Sequence, residues 1–360
     1  MKAAIYHQAH EPLTIEEIDI DNPMENEVLL RTAASGVCGS DLHIVDAYIP
    51  VQGPMVLGHE AAGVVEAVGS NVRYVAPGDH IITCPSIWCG ECEMCLSDHP
   101  YLCDNRQGRP ENAAPRLSQG GKPVAQFTNL SSFAERMLVP ERAVIKVEKD
   151  LPLETLALIG CGITTGLGAV LRTAKVEAGA SVAVFGVGGV GLSALQGARI
   201  AGATTIIAVD INEYKLATAM EMGATHVVDA SSSDPVAAIR DLTGGGVDYA
   251  FEAIGNKKTA EQAFASIKVA GTAVLIGFFP WDAVLEIPAG QFIMEKKLIG
   301  CRMGSNKFRL DMPAYIELYR QGRLKLDEMV TKRMPLDQVN EAFRLMKAGE
   351  VTRSVLTFDS

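Results

Sequence analysis

Six residues near the start of the chain, Cys38-Gly39-Ser40-Asp41-Leu42-His43, bring a thiol, a hydroxyl, a carboxylate and an imidazole together. Alone they would make an ordinary polar turn, because turn geometry selects Gly, Ser and Asp. Partners elsewhere give them chemical meaning. His59, in Gly58-His59-Glu60, follows Cys38 by 21 residues, within a hairpin's reach, and Cys161 stands in Gly160-Cys161-Gly162. Two thiolates and an imidazole with an open fourth position form a known donor set of catalytic zinc, so this pattern is matched rather than discovered. Asp41 is then placed to orient the second nitrogen of His59, as carboxylates behind metal-bound histidines commonly do.

A second cluster follows. Cys89, Cys92, Cys95 and Cys103 have the spacing C-x2-C-x2-C-x7-C, which suits a closed tetrahedral zinc with no position left for substrate. In a reducing compartment such density points to metal rather than disulfides. An iron–sulfur cluster is the weaker rival, because nothing else in the chain suggests electron transfer. His99, inside this loop, reads as a solvated bystander.

A third pattern is Gly186-Val-Gly188-Gly189-Val190-Gly191, directly after the apolar run 181–185 and before a small-residue helix over 192–201. A second strand over 205–209 then ends at Asp210. That is the complete setting of a dinucleotide-binding turn, with an acid about 20 residues on to hold the adenosine ribose. An acid there repels a 2′-phosphate, which favours NAD over NADP.

The rest of the chain must position these groups. With 360 residues, two domains are expected, with a cleft between them. A hydrophobic fraction of 48% with 21% charged residues is that of a globular protein. The net charge of -11 argues against a nucleic-acid or anionic-membrane partner, since both need a basic face. The N-terminal residues show no apolar targeting core, so a cytoplasmic location is expected. The most apolar stretch, 182–209, is broken by glycines, Gln196 and Arg199 and reads as strand, turn and buried helix rather than a membrane span.

Alternation over 13–16, 27–31, 61–68 and 80–83 predicts a β-rich first 150 residues, barrel-like or sandwich-like. Residues 104–132, rich in Gly, Pro, Asn and Arg, predict an ordered surface excursion flanking the cleft. Helical periodicity begins near 153 and carries Cys161 at or near a helix. Strand and helix then alternate through 227–228, 249–252 and 272–276, giving a parallel sheet covered on both faces. Helices over 312–321 and 336–347 and a strand over 354–358 return to the first domain. Trp88, Phe127 and Trp281 read as core or cleft wall.

Together, Cys38, His59-Glu60, the four clustered cysteines, Cys161, the glycine-rich turn and Asp210 resemble the zinc-dependent alcohol dehydrogenases of the medium-chain dehydrogenase/reductase family. The likeness spans essentially the whole chain. It is nearest to the long-loop branch that includes the animal-liver and glutathione-dependent formaldehyde enzymes. The resemblance implies an α/β protein: a β-rich GroES-like catalytic domain over 1–162 and 303–360, and a doubly wound parallel-sheet (Rossmann) domain over 163–302. It also implies two zinc ions per chain, NAD, a small alcohol or aldehyde as substrate, and a homodimer or homotetramer joined near 298–303, at the edge of the cofactor sheet.

Within that likeness Ser40 takes the alcohol proton, His43 passes it to solvent, and Glu60 tunes the metal from behind. Lys215 lies beside the adenosine ribose, Arg353 near the pyrophosphate, and Val190 and Thr165 around the nicotinamide. Ile49, Pro85, Trp88 and Phe127 match the substrate wall, an apolar lining that suggests a medium-sized aliphatic or aromatic primary alcohol. Two positions depart from the pattern. Gly39 stands where many relatives put an arginine or histidine on the pyrophosphate, and Ile49 and Gln107, with Arg106 adjacent, stand where a charged pair would recognise hydroxymethylglutathione. A thiol-adduct formaldehyde dehydrogenase and a non-catalytic NAD-binding scaffold are the alternative readings.

Overall fold

The computed structural model describes residues 1–105, 108–110 and 112–358. The chain divides into two units, one made of Met1–Cys161, Lys307–Glu317 and Leu326–Ser360, the other of Gly162–Asn306 and Leu318–Lys325. The sequence reading sends all of 303–360 to the first unit, whereas residues 303–306 and Leu318–Lys325 group with the second. Hydrogen bonds explain the latter: Gln196 exchanges bonds with the Lys325 backbone in both directions, and Arg199 donates to the Arg323 carbonyl.

The first unit is β-rich. Its largest sheet has seven strands, in the order Val144–Val147, His80–Thr83, Glu60–Val68, Glu27–Gly36, Arg353–Thr357 and Val330–Pro335, with Arg136–Pro140 also on Glu27–Gly36. A smaller sheet joins Ala125–Gln126, Met55–Val56, Lys2–Tyr6 and Thr14–Glu17. Glu27–Gly36 is the central element: its residues alternate between more and less buried over much of their length, as a pleated strand requires. Its register governs the site. Gly36 is opposite Glu60 and Val355 is opposite Gly36. Continuing both ladders past their ends brings Cys38, His59 and Arg353 to one rim of the sheet.

The excursion after the cysteine cluster is ordered where it is described. Leu117–Gln119 and Lys122–Pro123 form a hairpin that pairs with Asp19–Ile20. Arg109 and Arg116 fasten it to the body, both binding the buried Glu27 carboxylate, at 2.7 and 2.6 Å. Arg109 also reaches Asp21, and Arg116 reaches Gln126 and Asn129.

The second unit is a six-stranded, all-parallel sheet. Its order is His226–Asp229, Thr205–Asp210, Ser181–Phe185, Val247–Glu252, Ile267–Leu275 and Lys297–Gly300. The chain starts in the middle and winds outward both ways, which is the doubly wound plan. Near-continuous apolar runs such as Val182–Phe185 are buried, as expected of strands covered on both faces. Side chains of Asn212, Asp234 and Asn256 cap the helices Glu213–Met222, Pro235–Thr243 and Lys257–Ser266, while left-handed Gly223 and Gly244 end the first two. Among the described residues no single helix is long and apolar enough to cross a membrane. The expected fold class, a β-rich unit with a doubly wound α/β unit, is the one observed.

Burial pushes the Glu27 carboxyl up, but Arg109, the Met24 amide and Arg116 outweigh it and hold the group below its ordinary value of 4.5. A carboxyl lowered by folding adds stability in full above its unfolded value, and that stability drains away as pH falls through the lower folded value. Glu27→Gln should therefore cost about 3 kcal/mol near neutrality by stranding two buried arginine contacts. The gap to wild type should close as pH drops below the ordinary glutamate value. Thermal melts of both proteins across that range test this, and a gap independent of pH would refute it.

Candidate metal centre and cofactor cradle

Cys38 precedes the short helix Gly39–Val45, whose third residue, Asp41, points its carboxylate back to accept the Cys38 amide at 3.2 Å. The same fully buried carboxylate accepts the Gly58 amide at 2.9 Å and lies 3.1 Å from His59 Nδ1. One acid thus ties the Cys38 turn to the His59 turn and fixes the imidazole orientation. Cys161 arrives after the tight turn Ala157–Gly160, whose last residue is pressed onto the sheet. A Cβ on Gly160 would lie 2.6 Å from the Thr83 carbonyl oxygen, so only glycine lets the chain approach this closely. Cys161 lies beside a helix, as expected: the residue has φ -138 and sits between the helical segments Ala157–Gly160 and Gly162–Gly168.

The result is a cluster in which donor atoms of Cys38, His59, Glu60 and Cys161 all lie within 4.8 Å of one another, every residue buried. Among the described residues, His59 Nε2 is buried with no hydrogen-bond partner. A histidine anchored through Nδ1 and bare at a buried Nε2 is what a metal ligand requires, and two thiols with an imidazole suit zinc. The Cys161 thiol, followed by His59 and Arg353, stabilises the Cys38 thiolate and holds it well below the ordinary thiol range, despite burial. The bond to Cys38, together with burial, pushes Cys161 well above that range. Burial opposes a charge on His59, yet Asp41 and Cys38 raise it well above the usual histidine value.

Glu60 does not stand alone behind this cluster. Its carboxylate is bound by Arg353, which is itself 5% exposed. The sequence reading gives Arg353 to the pyrophosphate; in the structure its guanidinium binds the Glu60 carboxylate. The two are 293 residues apart, and no local signal could have paired them. Ser40 Oγ lies 4.0 Å from the Cys38 sulfur. Burial pushes His43 below its ordinary value, against the opposing charges of Cys38, Asp46 and Asp41.

The other four cysteines also converge, with all four sulfurs within 4.8 Å of one another. Cys89 and Cys95 sulfurs are 3.9 Å apart, those of Cys92 and Cys103 3.8 Å. A tetrahedron with zinc–sulfur bonds of about 2.3 Å has edges of about 3.8 Å, so the spacing fits this ion. Amides of Glu91 and Cys92 donate to Cys89 Sγ, and the Cys89 amide donates to Cys103 Sγ.

In the second unit the turn 186–188 joins Ser181–Phe185 to the helix Gly189–Ala201. A Cβ on Gly191 would lie 1.8 Å from the Gly186 carbonyl oxygen, so that turn is too tight for any side chain. Asp210 ends the neighbouring strand. Its carboxylate accepts the amides of Val187, Ile211 and Asn212 at 3.0, 2.8 and 3.1 Å. The half-buried N-terminus of the helix, at Gly188, Gly189 and Val190, offers amides and a dipole that suit a diphosphate. Val190 is the second residue of that helix, Lys215 lies in the first turn of Glu213–Met222, and the Thr165 hydroxyl donates to Met303 sulfur at 3.7 Å.

Of the expected substrate wall, Phe127 sits with its ring edge-on to His59, centroids 5.4 Å apart. Ile49 packs on the same apolar cluster as Phe127 and lines a cavity of about 480 Å³ with Tyr6, Pro50 and Val51. Trp88 is instead stacked under the Arg142 guanidinium, 4.7 Å from the ring centroid. Pro85 is half-buried. Gln107 and Arg106 lie outside the described residues. Arg142 is the neighbour that sequence reading missed, since an arginine 54 positions after Trp88 carries no signal of stacking on it.

Comparisons with known proteins agree with this geometry. Residues 24–149 match the alcohol dehydrogenase GroES-like domain, and residues 189–321 match the zinc-binding dehydrogenase domain. An alcohol dehydrogenase zinc-binding domain protein from Burkholderia ambifaria is 39% identical with a TM-score of 0.95, covering 100% of this chain and 99% of its own. Benzyl alcohol dehydrogenase from Acinetobacter calcoaceticus is 33% identical with a TM-score of 0.94, covering 99% of both chains. A zinc-binding dehydrogenase from Sinorhizobium meliloti, bound to NADP, is 29% identical with a TM-score of 0.84 and the same coverage of both.

Because Asp41 holds both turns of the three-donor cluster, Asp41→Ala should weaken its grip on zinc by about 10- to 100-fold. The four-cysteine site should keep its metal. Metal content after graded chelator exposure, read separately for the two sites, checks this; unchanged retention at the Cys38 site would count against the role.

Proposed function

The chain belongs to the zinc-binding dehydrogenase family, and on that footing we propose that it transfers a hydride between an alcohol/aldehyde pair and NAD. The observation that carries this reading is the bare, buried Nε2 of His59 beside the thiols of Cys38 and Cys161. Zinc held by Cys38, His59 and Cys161 would supply Lewis acidity toward an alcohol oxygen, and a bound nicotinamide would supply the hydride acceptor. The chain's own residues do the rest. Asp41 keeps His59 in register, Ser40 accepts the alcohol proton, and neutral His43 passes it to solvent. Arg353 keeps the Glu60 charge compensated. Gly186, Gly188, Gly189 and Gly191 admit the pyrophosphate, Asp210 and Lys215 take the adenosine ribose, and Val190 and Thr165 flank the nicotinamide.

NAD rather than NADP is supported by the Asp210 carboxylate, although one similar structure carries NADP. The apolar Ile49 and Phe127 support a medium-sized aliphatic or aromatic primary alcohol. The excursion over 104–132 supports a place in the long-loop branch. A homo-oligomer is supported by the edge strand Lys297–Gly300 and the exposed Trp281, Ile293 and Met294 of the same unit. Eight free cysteines support a reducing, cytoplasmic setting.

An alcohol and aldehyde panel followed by NADH absorbance, with NADP as control and formaldehyde run with and without glutathione, should show turnover of apolar primary alcohols with NAD. Cys38→Ala or His59→Ala should abolish turnover while the circular dichroism spectrum is kept; near-normal activity in either variant would sink the reading. Gly39 has nothing within 4 Å of where its Cβ would be, so Gly39→Arg should fold and tighten NADH about tenfold through a new charged hydrogen bond. Unchanged NADH affinity in that variant would remove the pyrophosphate role assigned to the position.

A further inference from the structure

The four-cysteine loop has an unusual charge balance. From Cys89 to Cys103 it contains Glu91, Glu93 and Asp98 and no lysine or arginine. Four thiolates around a dication add two more negative charges when zinc is held. Compensation has to come from outside the loop. Lys307 pairs with Asp98, which leaves the metal end of the loop.

Arg142 stands there. It follows Glu141 in the turn Glu141–Ala143, far from the loop in sequence. Its guanidinium lies over the face of Trp88, the residue before Cys89, and its Nη1 is 3.1 Å from where a Gly90 Cβ would project. It is thus packed against the Cys89–Cys92 turn itself. That Nη1 is buried and has no hydrogen-bond partner among the described residues, and no carboxylate pairs with the side chain. A second cation, Arg309, is stacked on Tyr74 at 4.1 Å and donates to the Glu141 carbonyl. Burial and the Arg142 charge both disfavour its ionised form. Two guanidinium groups near one another, one of them with no acid of its own, are costly unless an anion compensates them.

We propose that Arg142 is the charge partner of the tetrathiolate zinc site, a positioning residue that holds the loaded loop by compensating its negative charge while Trp88 fixes the guanidinium plane. This rests on zinc occupying the four cysteines. Stacking on Trp88 orients the guanidinium without using its N–H groups. The buried Nη1 then lies against Gly90, between Cys89 and Cys92. Replacing the side chain by methionine keeps most of the volume and removes the charge, whereas lysine keeps the charge and loses the planar fork.

The test compares zinc-loaded wild type, Arg142→Met and Arg142→Lys under chelator. Alkylation of Cys89, Cys92, Cys95 and Cys103 is read by peptide mass spectrometry, with Cys38 and Cys161 as internal references. Arg142→Met should expose the four loop thiols about tenfold faster, Arg142→Lys should be slower than Met, and the reference thiols should keep the wild-type rate. The proposal is overturned if Met reacts no faster than wild type. It is equally overturned if Lys matches Met, which would mean packing alone, or if Cys38 and Cys161 accelerate in step, which would mean general unfolding. A wild-type loop that holds no zinc would overturn the metal reading and this inference with it, a result visible before any variant is compared.

Discussion

The first unit depends on a charge placed where charges are least welcome. Glu60 is fully buried at the start of its strand, and an ionised carboxylate in such a place is tolerated only with a partner and hydrogen bonds. Arg353, entering from the other end of the chain, is that partner. With it in place the Glu60 charge is offset by that of Arg353. Removing either member would leave a bare charge against the metal donors, so the C-terminal segment is bound into the site by electrostatics and not merely by sheet hydrogen bonds.

Register does the positioning. The rung that sets Gly36 against Glu60 and the rung that sets Val355 against Gly36 determine where Cys38, His59 and Arg353 emerge. A slip of one residue would turn every side chain on these strands to the opposite face. Bulges between Leu29 and Leu30 and between Thr32 and Ala34 lock that register over the length of the central strand. Asp41 then closes the gap between the Cys38 and His59 turns, which the sheet brings near but does not join.

Much of this was legible in the chain because metal donors and cofactor turns are local patterns. C-x2-C-x2-C-x7-C needs only a short loop to converge, and a glycine-rich turn after an apolar strand has few other uses. Asp41 could be assigned to His59 because carboxylates commonly stand behind metal-bound histidines and this one lies three residues from Cys38. The Glu60–Arg353 pair, the Arg142–Trp88 stack and the fastening of the excursion through Arg109 and Arg116 to Glu27 were not legible. Each joins distant segments by charge or ring contact, and one sequence holds no record of which distant residues meet. The grouping of segment 318–325 with the second unit has the same origin: bonds between its backbone and the side chains of Gln196 and Arg199 are invisible to periodicity.

Asp210 also braces the turn that would face the cofactor. Its two oxygens serve three backbone amides, one of them from Val187 inside the glycine-rich turn. On the proposed reading, the atoms that would discriminate against a 2′-phosphate are therefore the atoms that hold the glycine-rich turn in shape before any ligand arrives. An engineer wishing to convert such a protein to the phosphorylated cofactor could not simply delete the acid. The replacement would have to restore an acceptor for the Val187 amide, or the gain in tolerance would be offset by a turn that must be ordered afresh at every binding event.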